Sequence, residues 1–220
     1  GGLYMKKAKN AFAIIGIVFA VIAAALLALH PVIDGIAAGL TEGASAAMGF
    51  PDYLSLLTER LGGLFSNFDW ISNFSVETLK VYYPLLAGAV GVVLFIVLFI
   101  FLLCKKHAKG LGWFFPMLIL FVLSIAVATV YVKPNDFFGA YSAKCTELGC
   151  SYNLISEGMA VNQLMALVGL CVALASAGFF ILAGIFYIIY VCKARKNAKK
   201  VDSAREAALA KIESLLGGNN

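Results

Sequence analysis

The chain alternates between long apolar runs and shorter mixed ones. Four runs, residues 11–29, 84–104, 113–132 and 164–192, contain no Asp, Glu, Lys or Arg. Each approaches or exceeds the roughly 20 residues that an α-helix needs to cross about 30 Å of hydrocarbon. The pattern predicts an all-α fold, a four-transmembrane-helix bundle with spans at 11–29, 84–104, 113–132 and 163–192. The fourth run is longer than a crossing requires, so it should tilt or project. Met5 is the expected natural start, with residues 1–4 set aside as an appended remnant. The first run resembles a signal peptide in its basic start, Lys6, Lys7 and Lys9. Its unbroken apolar stretch exceeds the usual h-region, so it reads as an uncleaved anchor.

The mixed segments carry their own periodicity. In the large first loop, 30–83, Ile33, Ile36, Ala37, Leu40, Ala44 and Ala47 recur at helical spacing. Tyr53, Leu54, Leu57, Leu61, Leu64 and Phe65 do the same, behind Pro51 and interrupted by Gly62 and Gly63. Two short amphipathic helices are expected there, as a cap on the bundle or a contact surface. Beyond the fourth span, 193–220 opens with a basic run and then reads Ser203-Ala204-Arg205-Glu206, a capping-box pattern. Val201, Ala208, Leu209, Ile212, Leu215 and Leu216 share one helical face. This stretch is read as a short tail helix, or equally as an extension of span four.

Composition agrees with the membrane reading. The 220 residues are 62% hydrophobic and 13% charged, half the charge of an average soluble domain. The spans use most of the length and leave no room for a large soluble catalytic domain. Of the 17 Lys and Arg, 13 lie in the N-terminal segment, the 105–112 link and the tail, whereas 9 of the 12 acids lie in the two other loops. The positive-inside rule then places both termini and the link in the cytosol, with 30–83 and 133–162 extracellular, most naturally at the plasma membrane. The net charge of +5 is thereby a topology signal and needs no nucleic-acid partner.

Candidate chemistry is sparse. Cys145 and Cys150, together on the outer side, are expected to form a disulfide. Cys104 and Cys192, beside lysines at the inner boundary, are candidate acylation sites. Asn73-Phe74-Ser75 is a candidate glycosylation sequon, and Cys171 is expected to pack as a small apolar residue. His30 and His107 fall at span ends, and no ionisable residue is expected in the span cores. That argues against proton- or ion-coupled transport. Without paired carboxylates, a His-Asp set, a nucleophile motif or a metal-ligand set, the expectation is no enzyme, no cofactor and no metal. A thiol oxidoreductase would require a second cysteine pair, and no Cys-x-x-Cys is present. Gly169, Ala173, Ala177 and Gly184 form a small-residue stripe suited to close helix packing. Ser124, Thr129 and Ser176 are too few for one subunit to enclose a wet pore, although a ring of subunits needs only one polar strip from each.

The layout, two outer loops with cytosolic ends, resembles in topology the claudin-like proteins, the tetraspanins and the connexin-like channel formers. The residues follow none of them: the first outer loop has Trp70 but no cysteine, and the second has only Cys145 and Cys150. No family is assigned. The expected role is a non-enzymatic tetraspan acting through assembly, as a scaffold, adhesion component or accessory subunit. Its partners would be the lipid bilayer and either another membrane protein or copies of itself. The alternative is a homo-oligomeric channel.

Overall fold

The structure, a computed structural model, describes residues 2–40, 48–66, 75–104, 111–132, 134–150 and 158–217. The described residues are helical apart from short turns. In chain order the helices are α1 (Gly2–Leu40), α2 (Phe50–Ser66), α3 (Val76–Cys104), α4 (Leu111–Tyr131), α5 (Pro134–Leu148) and α6 (Gly158–Gly217). Four of them, α1, α3, α4 and α6, are long and apolar enough to cross a membrane. The chain is an integral membrane protein on that ground.

α4 and α6 form the central pair of the bundle. α1 packs most extensively on α6 and also touches α4, while α3 packs on α4 and α6 from another side. Aromatic side chains fill the centre. Phe95 of α3 lies 5.4 Å from Phe121 and 5.7 Å from Phe114 of α4, and the Phe121 ring sits directly against Gly91 of α3. Midway along the bundle, the Ser176 hydroxyl donates to the Gly16 carbonyl at 2.8 Å and lies 2.9 Å from the Ser124 hydroxyl. These bonds tie α1, α4 and α6 together where no water is available to satisfy a lone hydroxyl.

The two ends differ. At the basic end, Lys9 of α1 places Nζ over Trp113 of α4 and Tyr187 of α6. At the other end α2 and α5 lie across the bundle as a cap, sharing a core of Tyr53, Leu56, Val127, Tyr131, Phe137, Phe138, Tyr141 and Ala173. From Lys9 to His30 is about 32 Å of helix, close to one hydrocarbon thickness.

Several boundaries shift from the sequence expectation. The first apolar run does not stop at residue 29: α1 continues through Pro31 to Leu40. The Ile33 and Ile36 periodicity therefore belongs to α1, and no separate amphipathic helix begins there. The second expected amphipathic helix is present as α2, which runs unbroken through Gly62 and Gly63. α3 begins at Val76, with Ser75 as its N-cap; the Thr78 amide donates to Ser75 Oγ at 3.2 Å. Pro84, the first residue of the expected span, therefore lies inside the helix. Of the two readings of the tail, the extension of span four is the one found. α6 is continuous over 60 residues, and the Ser203 hydroxyl donates to the Lys200 carbonyl one turn back, so the capping box does not form.

Candidate functional site

The cap closes over a buried polar cluster that begins with a proline. Pro31 has no backbone N–H, so the carbonyl four residues earlier, Leu27, loses its helical donor. Tyr53 of α2 supplies the replacement, its hydroxyl donating to the Leu27 carbonyl at 2.6 Å. One defect in α1 thus becomes the anchor for α2. The Tyr53 hydroxyl is held well above the ordinary tyrosine range, first by burial and then by Tyr131. It remains a proton donor.

His30 and Asp34 lie one helical turn apart on α1, and both are fully buried. His30 Nε2 is 2.9 Å from the Tyr131 hydroxyl of α4. The His30 ring sits among Tyr131, Phe137 and Phe138, with ring centres 5.2–5.9 Å away. Tyr131 is positioned by close approach to α6: a Cβ at Gly169 would come within 2.6 Å of its ring, so only glycine leaves room.

Asp34 faces α5. Its carboxylate is an electrostatic neighbour of the Tyr141 hydroxyl, a contact that falls short of hydrogen-bond geometry at the carboxylate oxygens. Burial, followed by Asp34, holds the Tyr141 hydroxyl far above its ordinary value. Both Asp34 oxygens and His30 Nδ1 are buried without a hydrogen-bond partner. Arg60 of α2, the nearby cation, is directed elsewhere. It donates from Nη1 to the Asp136 carbonyl at 2.9 Å and lies over the Phe137 ring.

Cys145 is one turn beyond Tyr141 on α5. Gly149 ends that helix with a φ of 67°, a left-handed conformation that glycine adopts without steric cost. The Gly149 amide then bonds back to Thr146 and the Cys150 amide to Cys145, at 3.2 and 2.9 Å. This Schellman turn carries Cys150 over Cys145. The two thiols are neighbours, but the expected disulfide is not formed; both sulfurs are free in the structure. Burial and the adjacent Cys150 raise the Cys145 thiol well above the ordinary range.

The remaining candidates are scattered. Cys104 and Cys192 are exposed near the basic end. Cys171 is exposed on α6, at variance with the expected packing role. Gly169, Ala173 and Ala177 face the interior of the bundle, and Gly184 lies near Leu94 of α3. Asn73 and His107 lie outside the described residues. Among the described residues, no group of three or more His, Cys, Asp or Glu is arranged to hold a metal.

Sequence reasoning places His30 at a span end and Asp34 in a loop, and so misses the cluster. The signal is present nonetheless. The i, i+4 spacing of the two residues continues the helical period of α1 through a proline that reads as a boundary. The apolar run 11–29 holds no ionisable residue; His30 and Asp34 lie just beyond it, on the extension of α1 to Leu40. What the arrangement offers chemically is an acid and a base, shielded from water and surrounded by neutral hydroxyls. Comparisons with protein-family models, curated proteins and solved structures return no match.

Proposed function

We propose that the protein is a non-catalytic subunit of a membrane assembly, a scaffold or accessory component that engages its partner through the end of α6. The carrying observation is the last part of that helix. It continues without a break past the apolar span, and every side chain from 201 to 214 is exposed, including Val201, Leu209 and Ile212. The other surfaces suited to assembly are largely occupied: the small-residue stripe packs within the bundle and α2 is folded into the cap.

The occupant is a protein helix rather than lipid. Counting from Cys192, the apolar face begins about 13 Å along the rigid helix and extends to about 30 Å at Ile212. A helix continuing straight from its span holds that face away from the headgroups. By the positive-inside rule this arm belongs to the cytosol and the cap to the outside. The channel reading has less support. Ser124, Thr129 and Ser176 are all buried, and they bond within the chain rather than lining a shared pore.

The test is the native mass of protein extracted in lipid nanodiscs. We compare wild type with a triple variant, Val201→Ser, Leu209→Ser and Ile212→Ser. The expected result is a complex with a different chain in the wild type, photo-crosslinked from position 209, and its loss in the variant. A wild-type monomer, or a complex that persists in the variant, overturns the proposal. A homo-oligomeric ring with a central opening would establish the channel instead.

A further inference from the structure

We propose that His30 and Asp34 together form a proton-binding site, and that the proton it holds keeps the α2–α5 cap docked on the bundle. The argument starts from position. Residues 30 and 34 of one helix project from the same face, at a spacing that a water molecule or a side-chain rotation can bridge. Both side chains are fully buried, and His30 Nδ1 and the two Asp34 oxygens are left without a protein hydrogen-bond partner.

Apart from the Arg60 guanidinium, the surroundings are neutral. From α4, Tyr131 bonds His30 Nε2. From α5, Tyr141 and Cys145 face Asp34, and Phe137 and Phe138 face His30. From α2, Tyr53 is committed to the Leu27 carbonyl and Arg60 to the Asp136 carbonyl. From α6, the cap core receives Ala166 and Ala173. The tyrosine hydroxyls and the Cys145 thiol stay protonated, so they supply dipoles but no charge.

A lone buried carboxylate or imidazolium is costlier than a pair with no net charge. One proton makes the pair neutral in either of its arrangements: a carboxylic acid beside a neutral imidazole, or a carboxylate beside an imidazolium. A second proton leaves the cluster at +1, and removal of the first leaves it at −1. Either net charge is relieved by water, which the cluster reaches only when the cap undocks. Docking is therefore strongest at intermediate pH and weakens on both sides. The acid limb belongs to uptake of a second proton and the alkaline limb to loss of the first. The site thereby makes the cap responsive to the pH of the compartment it faces.

Cys145 reports the docked state because, on α5 of the cap, it is buried in the core that the cap shares with the bundle. In full-length protein with Cys104, Cys150, Cys171 and Cys192 replaced by Ser, maleimide labelling of Cys145 is measured from about pH 3 to pH 9, which reaches below the ordinary carboxylate range and above the ordinary imidazole range. Each rate is divided by that of the detergent-unfolded protein at the same pH, which cancels ordinary thiol ionisation. The expected profile has its greatest protection in the middle and loses about tenfold at each end. Asp34→Asn should remove the alkaline limb and keep the acid one; His30→Gln should do the reverse. A flat wild-type profile, or variants that keep both limbs, overturns the proposal. Where a variant does not fold, potentiometric titration of the folded wild type decides. Each limb must coincide with one proton gained or lost per chain, and limbs without that exchange equally overturn the proposal.

Discussion

The two ends of the bundle each bury an ionisable side chain of α1, and they treat it differently. At the basic end the Lys9 ammonium lies 4.7 Å from the Trp113 ring centre and 4.3 Å from that of Tyr187. Two electron-rich faces compensate the charge at the membrane boundary, and the aliphatic stem packs beneath it. At the capped end Asp34 is fully buried, with neither oxygen hydrogen-bonded. The first arrangement is satisfied in one charge state and needs nothing further. The second is satisfied only when a proton is shared with His30. A compensated charge fixes structure, whereas an uncompensated one leaves the cap dependent on its ionisation.

The largest effect expected from breaking this contrast is at Gly169. Gly169→Leu drives a side chain into the space of the Tyr131 ring, which should cost roughly 3 kcal/mol through overpacking. It should also undock the cap while Lys9 stays in place. Denaturant unfolding together with cap-specific Cys145 labelling would show this, and equal loss at both ends would contradict the separation drawn here. Next is the proline anchor. Tyr53→Phe strips the Leu27 carbonyl of its donor and should cost about 2 kcal/mol. Pro31→Ala restores a backbone amide at that position, which can bond the Leu27 carbonyl itself, so in its presence the same Tyr53→Phe change should become nearly neutral. A double-mutant cycle measures the coupling, and strict additivity would show that the two residues act independently.

A smaller effect is expected at the basic end. Lys9→Ala should cost about 1 kcal/mol, and Lys9→Arg should recover most of it, because a guanidinium also sits well on aromatic faces. Thermal unfolding of the two variants checks this. The smallest effect concerns Cys145. Its thiol is raised in the fold by burial and by Cys150, so the folded chain favours the neutral thiol. That contribution is complete below the ordinary thiol range, and fades as the pH rises through that range towards the higher folded value. Cys145→Ala should therefore lessen the alkaline loss of stability without changing it near neutrality. Under reducing conditions Cys150 should be alkylated well before Cys145.

Much of the bundle was legible because hydrocarbon imposes a simple rule. Each crossing must be long, apolar and helical. Gly169 and Ala173 are buried in the bundle, where small side chains at four-residue spacing let helices approach closely. The site was not legible. Pro31 reads as a terminus because it lacks a donor, and only the arrival of Tyr53 from α2 shows why the helix continues. Cys145 and Cys150 read as a bonded pair from spacing and side. The Schellman turn at Gly149 explains their proximity, and the sulfurs remain separate.

The sequence by itself determined four membrane-length helices and an uneven distribution of charge about them, because both follow from local composition acting against a low-dielectric solvent. The tertiary structure alone decided that α1 runs on to Leu40, that α6 is a single helix of 60 residues, and that His30 and Asp34 are sealed beneath a cap. Burial depends on what other segments bring to a residue. The side chains that seal Asp34 come from α5, far along the chain, where no local pattern in α1 could record them.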